Sequence, residues 1–182
     1  MEPEQPSGQR KTSKTDGYSA VQLGFSDQKK QRLSKASVGR FDKAEVAPKK
    51  ILREIRIDDE AETKAGDELT AAMFEGISFV DVIANTKGRG YQGVVKRHNF
   101  GGGRASHGSH MHRRPGSIGQ CVSPARVIKN RKMPGQFGNT RVTVQNLKVV
   151  AVRPDDNVIL LKGAVPGPNG GTVLVKQALK KA

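Results

Sequence analysis

The chain has 182 residues and a formal net charge of +15, with 32 lysines and arginines against 17 acidic side chains. This length suits one domain, or one domain with a large appendage. No apolar run approaches the roughly 20 residues that a membrane-spanning helix needs, and the polar first residues predict neither a secretory signal nor a transit peptide. Leu, Ile, Val and Phe supply 41 residues, so we expect a hydrophobic core over only part of the chain.

The cysteine and aromatic content excludes further classes of protein. Cys121 is the single cysteine, which excludes an intramolecular disulfide and fits a reducing compartment. The chain has no Trp, two Tyr and six Phe. With so few aromatic side chains, base stacking is not expected to be the main way in which the chain binds a nucleic acid.

The basic charge is concentrated in one part of the chain. Residues 1–81 have a net charge of −1, whereas residues 82–154 contain 14 lysines and arginines and no acidic residue. Residues 155–182 add a net charge of +2. Ordinary solvated surfaces mix the two signs, so this acid-free window, residues 82–154, indicates a polyanionic partner.

The predicted elements are mostly short strands separated by turns. Val21, Leu23 and Phe25 alternate with polar residues, which predicts a strand over residues 19–25. An amphipathic pattern over residues 38–46 allows one short helix. Further strands are predicted at residues 50–57, 69–74, 77–84, 141–153, 158–162 and 172–176. Such a series of strands with Gly, Pro, Asn and Asp turns is typical of a small closed barrel or a sandwich.

The middle of the chain has a different pattern. Residues 86–138 contain 11 glycines and little apolar periodicity, apart from a helical turn predicted within residues 91–98. A segment of this length is expected to be functional or disordered rather than an ordinary loop. Its varied composition favours a basic extension that projects from a β core and is ordered by the partner that it binds.

Residues 88–93 match the G-x-G-x-x-G pattern of dinucleotide sites. Such a site also needs an acidic residue some 20 positions later and alternating strands and helices. The first carboxylate after this motif is Asp155, and no such alternation follows, so we reject a dinucleotide site. We expect these glycines to allow the backbone to approach phosphate closely.

Four histidines in the same region raise the question of a metal site: His98, His107, His110 and His112. No carboxylate lies near, and the glycines around them oppose the helix that would set ligand spacing, so a metal site is disfavoured. A nucleophile is disfavoured for the same reason, because no local acid orients a base beside Cys121 or beside the serines at 106, 109, 117 and 123. We therefore predict no cofactor, no small-molecule substrate and no enzymatic activity.

The chain contains an ordered series of unusual sequence motifs, here called words. They are TKGRGYQG (86–93), KRH (96–98), FGGG (100–103), ASHGSH (105–110), RRPGSIG (113–119), KMPGQFGN (132–139), RVTVQNL (141–147) and the segment 158–168. Together they resemble the signature of bacterial-type ribosomal protein L3, and the resemblance runs from about Asp16 to near the C-terminus.

The resemblance implies a mainly β chain with few short helices. It implies a small β-barrel body of the translation-protein kind, at residues 15–85 and 140–182, and a long Gly/Arg-rich loop extension at residues 86–139. Such a protein is a structural constituent of the large ribosomal subunit. It binds ribosomal RNA early in assembly beside neighbouring ribosomal proteins, and its extension reaches towards the peptidyl transferase centre. The location implied is a bacterial-type ribosome in the cytoplasm, with an organellar origin left open.

The acid-free window and the resemblance together predict the binding residues. The RNA-binding set is Lys87, Arg89, Lys96, Arg97, His98, Arg104, His107, His110, His112, Arg113, Arg114, Arg126, Lys129, Arg131, Lys132 and Arg141. The resemblance places nearest the peptidyl transferase centre Met133, Gly135, Gln136, Phe137, Gly138 and Asn139. In some bacterial members the glutamine of this word is methylated on its amide, which implies a glutamine methyltransferase as a further partner for Gln136. The other hypothesis left open is a basic nucleic-acid chaperone or DNA-architectural protein.

Two departures from the family pattern stand out. The family usually opens on a first β-strand that helps to close the barrel, but residues 1–14 here are polar and show no strand pattern. We therefore expect the usual first strand to be absent. Either the barrel is left open there, or a neighbour covers the edge, or the true start lies upstream; an uncovered edge would be a pairing liability. Arg104 follows the triple glycine where the family commonly has proline, and it adds positive charge.

Overall fold

The structure, a computed structural model, describes residues 5–11, 16–57 and 66–181. Within these ranges the chain is mainly β with few short helices, as predicted. The strands are β1 Gln5–Lys11, β2 Ala20–Asp27, β3 Lys49–Arg56, β4 Phe79–Asn85, β5 Tyr91–Gln92, β6 Gly135–Gln136, β7 Arg141–Arg153, β8 Val158–Lys162 and β9 Leu174–Gln177. The helices are α1 Lys35–Lys43 and α2 Val94–His98, with 3-10 turns at Lys30–Arg32 and Ala71–Phe74. The strand predicted over residues 69–74 is therefore wrong, because a 3-10 turn occupies Ala71–Phe74.

The described strands form three sheets with the orders β1-β2-β3, β8-β7-β4-β9 and β5-β6. None of these sheets closes on itself among the described residues, so the closed barrel stays a prediction. The chain divides into two compact units. The first unit comprises Met1–Ser78 and Lys148–Lys162, and the second comprises Phe79–Leu147 and Gly163–Ala182.

The first unit is organised around β2. Its alternation predicted a strand, and Val21 lies opposite Ile55 of β3 in an antiparallel register. Phe41 of α1 is buried, with 2% of its surface exposed. Helix α1 begins earlier than the amphipathic pattern predicted, because the Ser34 hydroxyl accepts a hydrogen bond from the Ser37 backbone N–H and caps the helix.

The expectation that residues 1–14 contain no strand is wrong for residues 5–11. They form β1, which pairs antiparallel with β2 and has an irregular register between Pro6 and Arg10. An edge strand is held by backbone hydrogen bonds to one neighbour, and it needs no apolar alternation to form. Proline and register shifts are both tolerated at sheet edges, which explains why the sequence pattern did not reveal this strand. Residues 1–4 and 12–14 of this prediction lie outside the described residues.

The second unit has its core on β4. Val80 and Val82 are fully buried, and Val82 lies opposite Val175 of β9. Asp81, between the two valines, is 1% exposed, and its carboxylate accepts a hydrogen bond of 2.9 Å from the Asn146 backbone N–H. Strands β7 and β8 have the predicted bounds, while β4 and β9 are shifted by one or two residues at their ends.

Candidate nucleic-acid interface

Two segments at the base of the predicted extension pair with each other. They are residues 86–92 and 133–140, and together they form a stem. At its base, the Thr86 N–H donates to the Thr140 carbonyl at 2.9 Å. Further along, the Arg89 N–H donates to the Phe137 carbonyl at 2.9 Å, and strands β5 and β6 continue the ladder. The Arg89 guanidinium also lies 5.3 Å from the centre of the Phe137 ring. The stem thus joins sequence words that are separated by about 40 residues.

Helix α2 anchors one side of the stem. The Arg97 guanidinium donates to the Met133 carbonyl at 2.6 Å, and the His98 Nε2 lies 3.1 Å from the same oxygen. A Cβ added at Gly135 would lie 2.8 Å from the Arg97 Nη1, so a larger residue there would displace the guanidinium from its place beside the chain. The helical turn predicted within residues 91–98 is therefore confirmed over Val94–His98, and it positions β6.

The part of the extension beyond α2, residues 99–132, contains no buried side chain; Phe100 and Ser109 are half-buried and the rest are exposed. Each hydrogen bond found within it has a backbone atom as at least one partner. The Gly103 N–H donates to the His112 carbonyl at 3.1 Å, and a Cβ at Gly102 would lie 2.5 Å from that oxygen. The His112 Nδ1 lies 2.9 Å from the Arg104 carbonyl. The triple glycine therefore permits a close approach between two backbone segments.

The second unit has an unbalanced charge. It contains 15 lysines and arginines, and Asp81 is its only acidic side chain. Since Asp81 is buried and hydrogen-bonded within the sheet, it cannot neutralise a surface cation. The three ion pairs found among the described residues all lie in the first unit: Lys11–Asp16, Lys30–Asp42 and Lys49–Asp27. The cations of the second unit are thus left for an external anion.

The predicted RNA-binding residues fall into two groups by exposure. Arg97 and His98 are half-buried, since they hold the Met133 carbonyl. The other predicted cations and histidines are exposed: Lys87, Arg89, Lys96, Arg104, His107, His110, His112, Arg113, Arg114, Arg126, Lys129, Arg131, Lys132 and Arg141. The Arg131 guanidinium donates to the Ser117 carbonyl at 2.5 Å.

The word at residues 133–139 lies in the stem, opposite residues 86–92. Gln136 and Asn139 are exposed there, whereas Met133, Gly135, Phe137 and Gly138 are half-buried. Gly138 has a φ of +73°, and a side chain at that position would collide with the Lys87 carbonyl. The two glycines of the word thus have packing reasons of their own. Its location near the peptidyl transferase centre stays a prediction.

The sequence reasoning missed several residues of this unit. Lys176, Lys180 and Lys181 belong to this unit. They follow Asp155 and Asp156 in the chain, so the charge count placed them in residues 155–182, a segment with both acidic and basic side chains. The Lys181 Nζ lies 5.1 Å from the centre of the Phe79 ring. Exposed Tyr91 was also missed, although an aromatic residue between glycines is a signal that could have revealed it.

Among the described residues, no group of three or more His, Cys, Asp or Glu side chains is placed to hold a metal ion. No helix in the described ranges is long and apolar enough to cross a membrane.

A mainly β chain with an exposed, uncompensated basic surface is typical of structural proteins that bind a polyanion. A family model described as ribosomal protein L3 matches residues 45–157. The large ribosomal subunit protein uL3 of Trichlorobacter lovleyi is 51% identical over 172 residues, covering 94% of this chain and 82% of that protein. The uL3 of Streptomyces coelicolor is 51% identical over 175 residues, covering 96% and 82%. The uL3 of Akkermansia muciniphila is 49% identical over 174 residues, covering 95% and 82%.

The chain therefore belongs to the ribosomal protein L3 family. Members of this family are structural constituents of the large ribosomal subunit, not enzymes. The family match confirms the resemblance found in the sequence and the prediction of a structural, non-enzymatic role.

Proposed function

We propose that the chain binds large-subunit ribosomal RNA directly through its second unit, and that it supports early assembly beside neighbouring ribosomal proteins. The observation that carries this proposal is the charge of the unit: 15 lysines and arginines against the single, buried Asp81. A surface of this kind gains free energy when it neutralises phosphates and releases their counterions.

The contacts divide by chemistry. Exposed arginines and lysines of the extension neutralise phosphates in crevices between RNA helices, and histidines and serines add hydrogen bonds to sugars and phosphates. If the chain neutralises 6–10 phosphates, raising the salt concentration from 50 to 200 mM lowers its RNA affinity roughly 10³- to 10⁵-fold, on the scale measured for duplex DNA. The paired stem and α2 support this proposal because they offer a defined base from which residues 99–132 project.

The body and the extension have separate roles in this proposal. Residues 15–85 and 140–182 form a β-barrel body, and residues 86–139 form an extension that enters RNA towards the peptidyl transferase centre. Gln136 is a site of amide methylation by a glutamine methyltransferase in the same proposal. Its exposed side chain supports access by such an enzyme. The protein acts within a ribosome of bacterial type, in the cytoplasm or in an organelle.

Co-sedimentation tests the proposed function. The tagged full-length chain is expressed in its own cells, and large subunits are washed at increasing salt and separated on sucrose gradients. Retention at one copy per washed large subunit is expected. Recovery only in free-protein fractions would contradict the proposal, and recovery in nucleoid fractions would support a DNA-architectural protein instead.

A further inference from the structure

Tyr91 is the only exposed aromatic side chain of the chain's eight, all of which lie within the described residues. Its surface is 73% exposed, whereas the other seven aromatic side chains are buried or half-buried. Within the described ranges its ring contacts no other ring or cation, and its hydroxyl has no hydrogen-bond partner. Folding alone therefore does not account for an aromatic residue at this position.

The stem gives this ring a defined direction. Tyr91 lies directly opposite Gln136 in the β5–β6 pair, so the two side chains share one face of the ladder. The next pair, Gln92 and Gly135, lies on the other face, where the Arg97 guanidinium occupies the space beside Gly135. The Tyr91–Gln136 face is the open one, and both of its side chains are exposed.

The charge around this face selects the ligand. Lys87 and Arg89 are exposed on the same stem, and Asp81 is the unit's only acidic side chain and is buried. A ligand that combines a flat apolar surface with negative charge and hydrogen-bonding edges is a nucleotide. Single-stranded RNA is typically bound by aromatic side chains that stack on unpaired bases, with side-chain amides at the base edges.

We infer that Tyr91 stacks on the base of an unpaired RNA nucleotide, with the Gln136 amide at the base edge and the stem cations at adjacent phosphates. This inference rests on the proposed function, because it requires that the chain binds RNA. It assigns the stem a contact that depends on base stacking as well as on charge.

Ultraviolet crosslinking tests the contact directly. The full chain is bound to large-subunit ribosomal RNA, irradiated, digested with trypsin and nuclease, and analysed by mass spectrometry. A nucleotide adduct on Tyr91 is expected in the peptide of residues 90–96, where it is the only aromatic residue. Adducts in other peptides without any in this one would overturn the inference, as would a crosslink from Tyr91 to another ribosomal protein in intact subunits.

Variants of Tyr91 measure the size of the effect. Tyr91→Phe keeps the ring and is expected to bind RNA like the wild type, whereas Tyr91→Leu is expected to lose affinity about 5- to 150-fold. The slope of log affinity against log salt stays unchanged, because Tyr91 carries no charge. Val122→Ala is the control, since Val122 is 84% exposed in the same unit and offers no ring.

The outcomes separate the two proposals. If the wild-type chain does not bind the RNA, the proposed function fails and the inference fails with it. If the wild type binds and Tyr91→Leu binds equally well, only the stacking inference fails. Circular dichroism of each variant checks that its fold is intact, which is expected because the Tyr91 side chain is 73% exposed and makes no ring, cation or hydrogen-bond contact among the described residues.

Discussion

At the scale of single residues, Asp81 shows how one acidic side chain coexists with a strongly basic unit. Its carboxylate is 1% exposed and accepts the Asn146 N–H within the sheet. Asn146 has a φ of +58°, so this hydrogen bond also holds a backbone conformation that most residues avoid. Asp81 thus stabilises the sheet, and it leaves the surface cations free to bind phosphate.

Asp81→Ala is expected to lower the free energy of unfolding by about 1–3 kcal/mol, because it leaves the N–H of half-buried Asn146 without its acceptor. Urea unfolding followed by circular dichroism measures this change. Asp156→Ala is the control; it removes an exposed carboxylate and is expected to stay within about 0.5 kcal/mol of wild type. Equal unfolding midpoints for the two variants would refute the role given to Asp81.

Gly138→Ala is expected to open the stem more than Gly108→Ala. The two glycines have nearly the same backbone, with φ of +73° and +71°, so both variants incur the same left-handed penalty of about 1–2 kcal/mol. Only at Gly138 would the new Cβ collide with a backbone atom, the Lys87 carbonyl. Hydrogen exchange at the Arg89 amide measures the difference. Equal exchange in both variants would mean that the stem tolerates this contact.

At the scale of elements, the sequence predicted those strands whose apolar residues alternate with polar ones or form continuous runs. Of these, β7 and β8 have the predicted bounds. The sequence did not predict β1 or the β5–β6 pair. Both are held by backbone pairing between segments whose side chains show no periodicity, so the composition of either segment alone contains no signal for them.

Arg97→Ala is expected to loosen the stem, because it removes the charge-assisted hydrogen bond to the Met133 carbonyl. The amide of Phe137, which donates to Gly90 across the stem, should exchange about tenfold faster, as expected for the loss of such a bond. Lys96→Ala removes an adjacent cation that is exposed and serves as the control. Equal exchange in the two variants would contradict an anchoring role for Arg97.

At the scale of the whole molecule, the position of a cation matters more than the total charge. Arg113→Glu and Arg114→Glu are expected to impair subunit assembly more than Lys29→Glu, although all three side chains are exposed. Arg113 and Arg114 lie in the acid-free window, whereas Lys29 lies in the nearly neutral first unit. Sucrose-gradient profiles of cells that carry each variant measure the effect. Identical profiles for the three variants would contradict the assignment of RNA contact to the second unit.

The sequence alone determined the family, the mainly β class and the place of the basic surface, because these follow from words, alternation and charge that are local in the chain. It also identified most of the exposed cations of the second unit. Only the tertiary structure decided that residues 86–92 pair with 133–140, that Arg97 and His98 serve the stem, and that Asp81 is buried. These features depend on contacts between residues far apart in sequence, and such contacts form only when folding brings their backbones together.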